Sequence, residues 1–193
     1  MLGLKLPTDP RWVDIAQISI DDILTDHAYC EQKAATTCIS LIIHYSEKEE
    51  LVEVLAPIVS EEWSHFRMVL KELNKRGFKL GPKRVDEYVV ELFKLERKGG
   101  KRERQLMDKL LISALIEARS CERFRLLSLH ISDEGLKSFY HELMISEAGH
   151  YRTFVDLAKV YMPEEEVKQR LQEMLEAEAD IIKNLKIRGD RMH

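Results

Sequence analysis

Two stretches decide how this chain folds: LVEVLAPIVSEEWSHFRMVL at residues 51–70 and LKSFYHELMISEAGHYRTFV at residues 136–155. In the first, Leu51, Leu55, Ile58, Glu62, His65 and Val69 recur at intervals of 4, 3, 4, 3 and 4. In the second, Leu136, Tyr140, Leu143, Glu147, His150 and Phe154 repeat the same intervals. Steps of three and four place successive side chains on one face of an α-helix. Each stretch is therefore read as a helix with a core-facing seam, and each seam carries a Glu-x-x-His pair where apolar residues belong.

The residues upstream of each stretch repeat the pattern. Leu24, Ala28, Glu31, Ala35, Cys38 and Ile42 form one stripe, and Leu110, Ser113, Glu117, Cys121 and Phe124 form another. Each holds a single glutamate among apolar or small residues. Glu31 precedes Glu62 by 31 residues and Glu117 precedes Glu147 by 30, so the chain contains an internal repeat of two helix pairs. An ionised carboxylate inside a helical core costs several kcal/mol unless it is paired or binds a cation. No Lys or Arg occupies the neighbouring seam positions, and two divalent metals would supply the missing charge. One Glu from each of two helices, with Glu-x-x-His from each of the other two, is the ligand set of di-iron and di-manganese carboxylate bundles. The oxygen-rich set with two imidazoles suits iron or manganese better than copper or zinc. Glu61 points off the seam, and His27, His44, His130 and His141 follow no repeated pattern, so they are read as surface or structural residues. Cys30, Cys38 and Cys121 are read as packing residues.

Start and stop signals extend this reading over the chain. Ser19 with Asp22, Ser46 with Glu49, Ser132 before Asp133-Glu134, and Pro163 before three glutamates mark helix openings. Long helices are expected at about 20–45, 47–76, 104–131 and 133–161, a shorter one near 84–97 and a tail helix near 164–187. Tight joints make the long helices two antiparallel hairpins. The long stretch between the hairpins contains Gly77, Gly81-Pro82 and Gly99-Gly100. The expected fold is all-α, a ferritin-like four-helix bundle of two antiparallel pairs with one long crossover and extra short helices. Residues 1–193 are read as a single domain, with the core bundle at about 20–161 and a C-terminal helix at about 164–187.

Composition narrows the function classes. Thirty Lys and Arg against 34 Asp and Glu leave −4, so no global positive field draws the chain to nucleic acid or anionic lipid. No apolar run approaches the roughly 20 residues of a membrane span, and the N-terminus lacks a signal-peptide pattern. Three cysteines without CxxC spacing suggest neither a disulfide framework nor a zinc knuckle, and a reducing cytoplasm is the expected compartment.

Several runs around these sites resemble one family: LPTDPRW near the start, LTDHAYCEQKAA, EEWSHF, RKGG, LIEARSCERF and SEAGHY. It is the bacterial tRNA 2-methylthio-N6-isopentenyladenosine hydroxylases, and the resemblance runs from Leu4 to about Leu185. It implies that Glu31, Glu62, His65, Glu117, Glu147 and His150 hold two iron ions in a non-haem di-iron centre, with Glu62 and Glu147 bridging. It also implies a monooxygenase that uses O2 and two electrons from a reductase to hydroxylate the isopentenyl group beside the tRNA anticodon. No catalytic residue beyond the metal ligands is then needed.

A polyanionic substrate sits awkwardly with a net charge of −4, but the charge is uneven. Residues 67–104 hold 13 Lys or Arg and 6 acids, a local +7, leaving −11 for the rest. This is the asymmetry of a chain that meets phosphate at one end. Arg97, Lys98, Lys101 and Arg102, flanking Gly99 and Gly100, are the expected contacts to the tRNA backbone. The alternatives are a demethoxyubiquinone-type hydroxylase, which the charged crossover disfavours, and a ferritin-like storage or ferroxidase subunit, which would need a closed cage.

Overall fold

The computed structural model describes residues 1–193. It contains seven helices and no strands: α1 (Arg11–Ala16), α2 (Ile20–His44), α3 (Glu49–Lys75), α4 (Glu87–Phe93), α5 (Arg102–His130), α6 (Glu134–Tyr161) and α7 (Glu164–Asn184). They divide into two compact units, one of residues 14–85 and 188–192, the other of residues 1–13, 86–187 and 193. No helix is long and apolar enough to cross a membrane.

The first unit is the α2/α3 hairpin. Ser19 stands at the N-cap of α2, but its side chain makes no capping bond. The expected opening at Ser46 is displaced: Lys48 takes the N-cap of α3, and Glu49 and Glu50 meet the helix dipole directly. At the far end Gly77 has φ +75°, and the Phe78 N–H reaches back to Leu73 O at 3.0 Å. That closure needs the left-handed conformation that glycine adopts without a Cβ penalty. The chain end returns to this unit, where the Met192 N–H donates to Asp26 Oδ2 at 2.7 Å.

The second unit is the α5/α6 hairpin with α4 and α7 packed on it. Asp133, rather than Ser132, caps α6, its carboxylate accepting from Leu136 N at 2.9 Å. Helix α4 is shorter than the 84–97 expected, and at its start Asp86 caps it by accepting from Val89 N at 3.1 Å. Asp108 of α5 takes the guanidinium of Arg170 of α7 at 2.9 Å and that of Arg97 at 2.8 Å. Burial pushes the Asp108 carboxyl up, but these two guanidiniums outweigh it and hold the group below the ordinary carboxylate range.

Helix α1 was not expected from the sequence. Six residues are too few to hold a helix by propensity alone. Tertiary contact holds it instead: Trp12 is buried, with the Arg123 guanidinium 4.8 Å from its ring centre.

The seams pack inward as read. All the named stripe residues of α3, α5 and α6 are buried. The α2 stripe holds through Cys38, then moves to Leu41 and Tyr45 while Ile42 is left half-buried. A strict 4-3 alternation drifts against 3.6 residues per turn, and this is the drift expected near the end of a long helix.

Candidate metal centre

Each unit gathers its own three donors. In the α2/α3 unit, Glu31, Glu62 and His65 are buried, and each offers a ligand atom within 4.8 Å of the others. His65 Nδ1 lies 3.5 Å from Glu31 Oε2 and 3.7 Å from Glu62 Oε2. In the α5/α6 unit, Glu117, Glu147 and His150 are likewise buried and within 4.8 Å of one another. There His150 Nδ1 lies 3.2 Å from Glu147 Oε2. Both imidazoles thus turn the same nitrogen toward the carboxylates.

This donor chemistry fits a divalent metal. Two carboxylates drawn within 4.8 Å in a buried setting repel one another, and a cation between them turns that repulsion into attraction. The ligand set of two carboxylates and one imidazole per unit is the type that iron and manganese share. Four carboxylates also match the charge of two divalent ions.

The structure adds one residue that the sequence reading set aside. His27 is fully buried on α2, and its Nε2 lies 2.6 Å from Glu31 Oε1. The signal was present in the sequence, since His27 stands four residues before Glu31 and helical residues so spaced are neighbours. His44, His130 and His141 are exposed, as expected, and so is Glu61. Cys121 is a packing residue whose thiol donates to Met144 O at 3.2 Å. Burial, assisted by the Glu147 charge, pushes that thiol up to about 12, so it stays protonated.

The basic stretch divides by role. Arg97 donates from its backbone N–H, Nε and Nη2 to the Asp108 carboxylate at 2.9, 3.0 and 2.8 Å. Its guanidinium is therefore committed to the fold. Lys98, Lys101 and Arg102 are exposed around Gly99 and Gly100, whose φ values of +79° and +85° bend the loop where a side chain would be strained.

Comparison with known proteins places this arrangement. A solved structure described as protein 43 with aldehyde deformylating oxygenase activity, from Synechococcus, superposes with a TM-score of 0.92 at 35% sequence identity, covering 98% of this chain and 94% of that one. A Pseudomonas putida protein named tRNA 2-(methylsulfanyl)-N(6)-isopentenyladenosine(37) hydroxylase is 36% identical over 181 residues, 94% of this chain and 87% of that protein. A Salmonella typhimurium protein of the same name is 28% identical over 228 residues, covering 93% of this chain and 83% of its own length. Fold and donor set together define a ferritin-like helical protein with a repeated carboxylate and imidazole set, as the seams implied. The family model described as tRNA-(MS2IO6A)-hydroxylase (MiaE) matches residues 2–193, and the chain belongs to that family.

Proposed function

We propose that this chain is a tRNA-modifying monooxygenase that hydroxylates the isopentenyl group of 2-methylthio-N6-isopentenyladenosine, using O2 and two electrons at a di-iron centre. The observation that carries this reading is the duplicated buried Glu and Glu-x-x-His set in a chain that belongs to the hydroxylase family over its whole length. In this reading the two units act as one ferritin-like domain. Glu31, Glu62, His65, Glu117, Glu147 and His150 would hold two irons, and Glu62 and Glu147 would be the carboxylates shared between them, as the resemblance implies.

Bound iron would supply chemistry that no side chain here can: O2 would take two electrons from a reductase and two from the substrate C–H bond, one oxygen atom entering the substrate and the other leaving as water with two protons from solvent. The chain's own residues set the conditions for it. The four carboxylates would neutralise the ions, and His65 and His150 would complete the donor set. Buried seam residues such as Leu55, Leu143 and Phe154 keep the surroundings apolar, where electrostatic interactions are strong. In this reading the work is done in the cytoplasm, where tRNA is found.

Nucleoside analysis of tRNA tests the proposal. In a strain lacking the gene, the hydroxylated nucleoside should vanish and its unhydroxylated precursor accumulate. Restoring the chain under labelled O2 should return the product carrying one oxygen from O2. An unchanged nucleoside pool would overturn the assignment, and consumption of an aldehyde with tRNA untouched would move it toward the activity named for the Synechococcus protein.

The exposed cations of the crossover are the proposed backbone contacts to the anticodon arm. Phosphate contacts orient the RNA without reading its bases. Each contact adds about 0.7 to 0.9 to the slope of log affinity against log salt. Neutralising Lys98, Lys101 and Arg102 together should weaken tRNA binding and flatten that slope by roughly 2 to 3, with iron content unchanged. Filter binding across a salt series measures both quantities, and an unaltered slope would remove these residues from the interface.

A further inference from the structure

We propose that His27 is a positioning residue for Glu31 and makes the two half-sites chemically unequal; the inference rests on the dinuclear reading above. His27 and Glu31 lie one turn apart on α2, both buried, with His27 Nε2 2.6 Å from Glu31 Oε1. An ionised carboxylate only accepts, so the imidazole must donate from Nε2. That bond commits one Glu31 oxygen. The other, Oε2, is the oxygen turned toward His65 Nδ1, 3.5 Å away. One carboxylate oxygen is thus engaged by His27, while the other lies on the side of the remaining donors.

The second unit has no histidine at the matching position. The repeat aligns Glu31 with Glu117, and the residue four positions before Glu117 is Ser113, also buried. A hydroxyl on one carbon stands where an imidazole stands in the first unit. The position one turn before Glu117 on α5 therefore offers no imidazole to match the His27 contact. Groups that hydrogen-bond a ligating carboxylate fix its orientation, and their loss typically lowers metal affinity about 10- to 100-fold. His27 acts on the metal held through Glu31 and leaves the metal held through Glu117 to its own ligands.

Anaerobic titration of the metal-free protein with Fe(II), and with Co(II) for its ligand-field absorption, tests this. The parent should take up two metals per chain. In His27→Phe, which keeps a ring but removes the donor, one binding step should weaken about 10- to 100-fold while the other stays near the parent value. The Co(II) spectrum should change for that step alone. His27→Gln, which restores an N–H donor, should recover most of the lost affinity. A purely structural histidine would instead lower the melting temperature of the metal-free protein and weaken both steps together. Parent-like titration of His27→Phe, equal loss at both steps, or no recovery in His27→Gln would each overturn the inference. If the Phe variant does not fold, His27→Asn, whose amide stops short of Oε1, is read by the same criteria. Uptake of fewer than two metals by the parent would instead overturn the dinuclear reading and the inference with it.

Discussion

Replacing Glu62 by Ala is expected to empty both metal positions, because this carboxylate serves both ions in the proposed centre. Iron content should fall from about two per chain to well below one, and tRNA hydroxylation should drop below detection. Glu147→Ala, in the matching register of α6, should behave alike. The metal-free protein should respond in the opposite sense. Glu62 is buried within 4.8 Å of Glu31, so removing it relieves like-charge repulsion, and the apo melting temperature should rise or hold. Loss of metal without loss of fold separates a ligand from a structural residue. Glu53→Ala, an exposed change on the same helix, is the control and should keep its iron. Iron analysis with thermal melts of apo and loaded protein decides the matter, and normal iron uptake by Glu62→Ala would exclude Glu62 as a ligand.

The largest stability effect is expected at Arg119, which is fully buried on α5 two residues after Glu117. Its guanidinium donates to Glu178 Oε1 of α7 at 2.7 Å, to Thr8 Oγ1 at 3.1 Å and to Leu6 O at 3.0 Å, and it also pairs with Glu122. Tyr88 adds a hydroxyl to the same Glu178 oxygen at 3.2 Å. Burial pushes the Glu178 carboxyl up and Arg119 pulls it back, a balance that holds only while both partners are present. Arg119→Met leaves two acids in the interior without their cation, a change that costs about 3–5 kcal/mol. For a chain of this size that is a melting temperature lower by roughly 6 to 20 °C. The double variant Arg119→Met, Glu178→Leu should recover much of the loss, since a buried pair replaced whole by apolar groups is close to neutral. Calorimetry of the three proteins distinguishes the cases. A single variant melting within about 2 °C of the parent would show that the network contributes little.

The sequence by itself determined the helices other than α1, the repeat and the six residues proposed as donors. Amphipathic spacing is a local property, and a glutamate in an apolar seam stands out because burying its charge is costly whatever surrounds it. The resemblance carried by EEWSHF and SEAGHY added the substrate, which no spacing rule could supply. Tertiary structure decided the rest. Helix α1 exists because Trp12 is buried against Arg123, residues far apart in the chain. Arg97 counted as one more cation in a basic run until Asp108, eleven positions on, was seen to hold it by three hydrogen bonds. His27 had the right spacing from Glu31 but no repeat partner, and only its burial and its 2.6 Å approach mark it as part of the site. The physical division is between patterns that one helix carries in its own periodicity and partnerships that depend on which side chains folding brings together. A sequence shows that a charge must be compensated, whereas the partner that compensates it is set by packing.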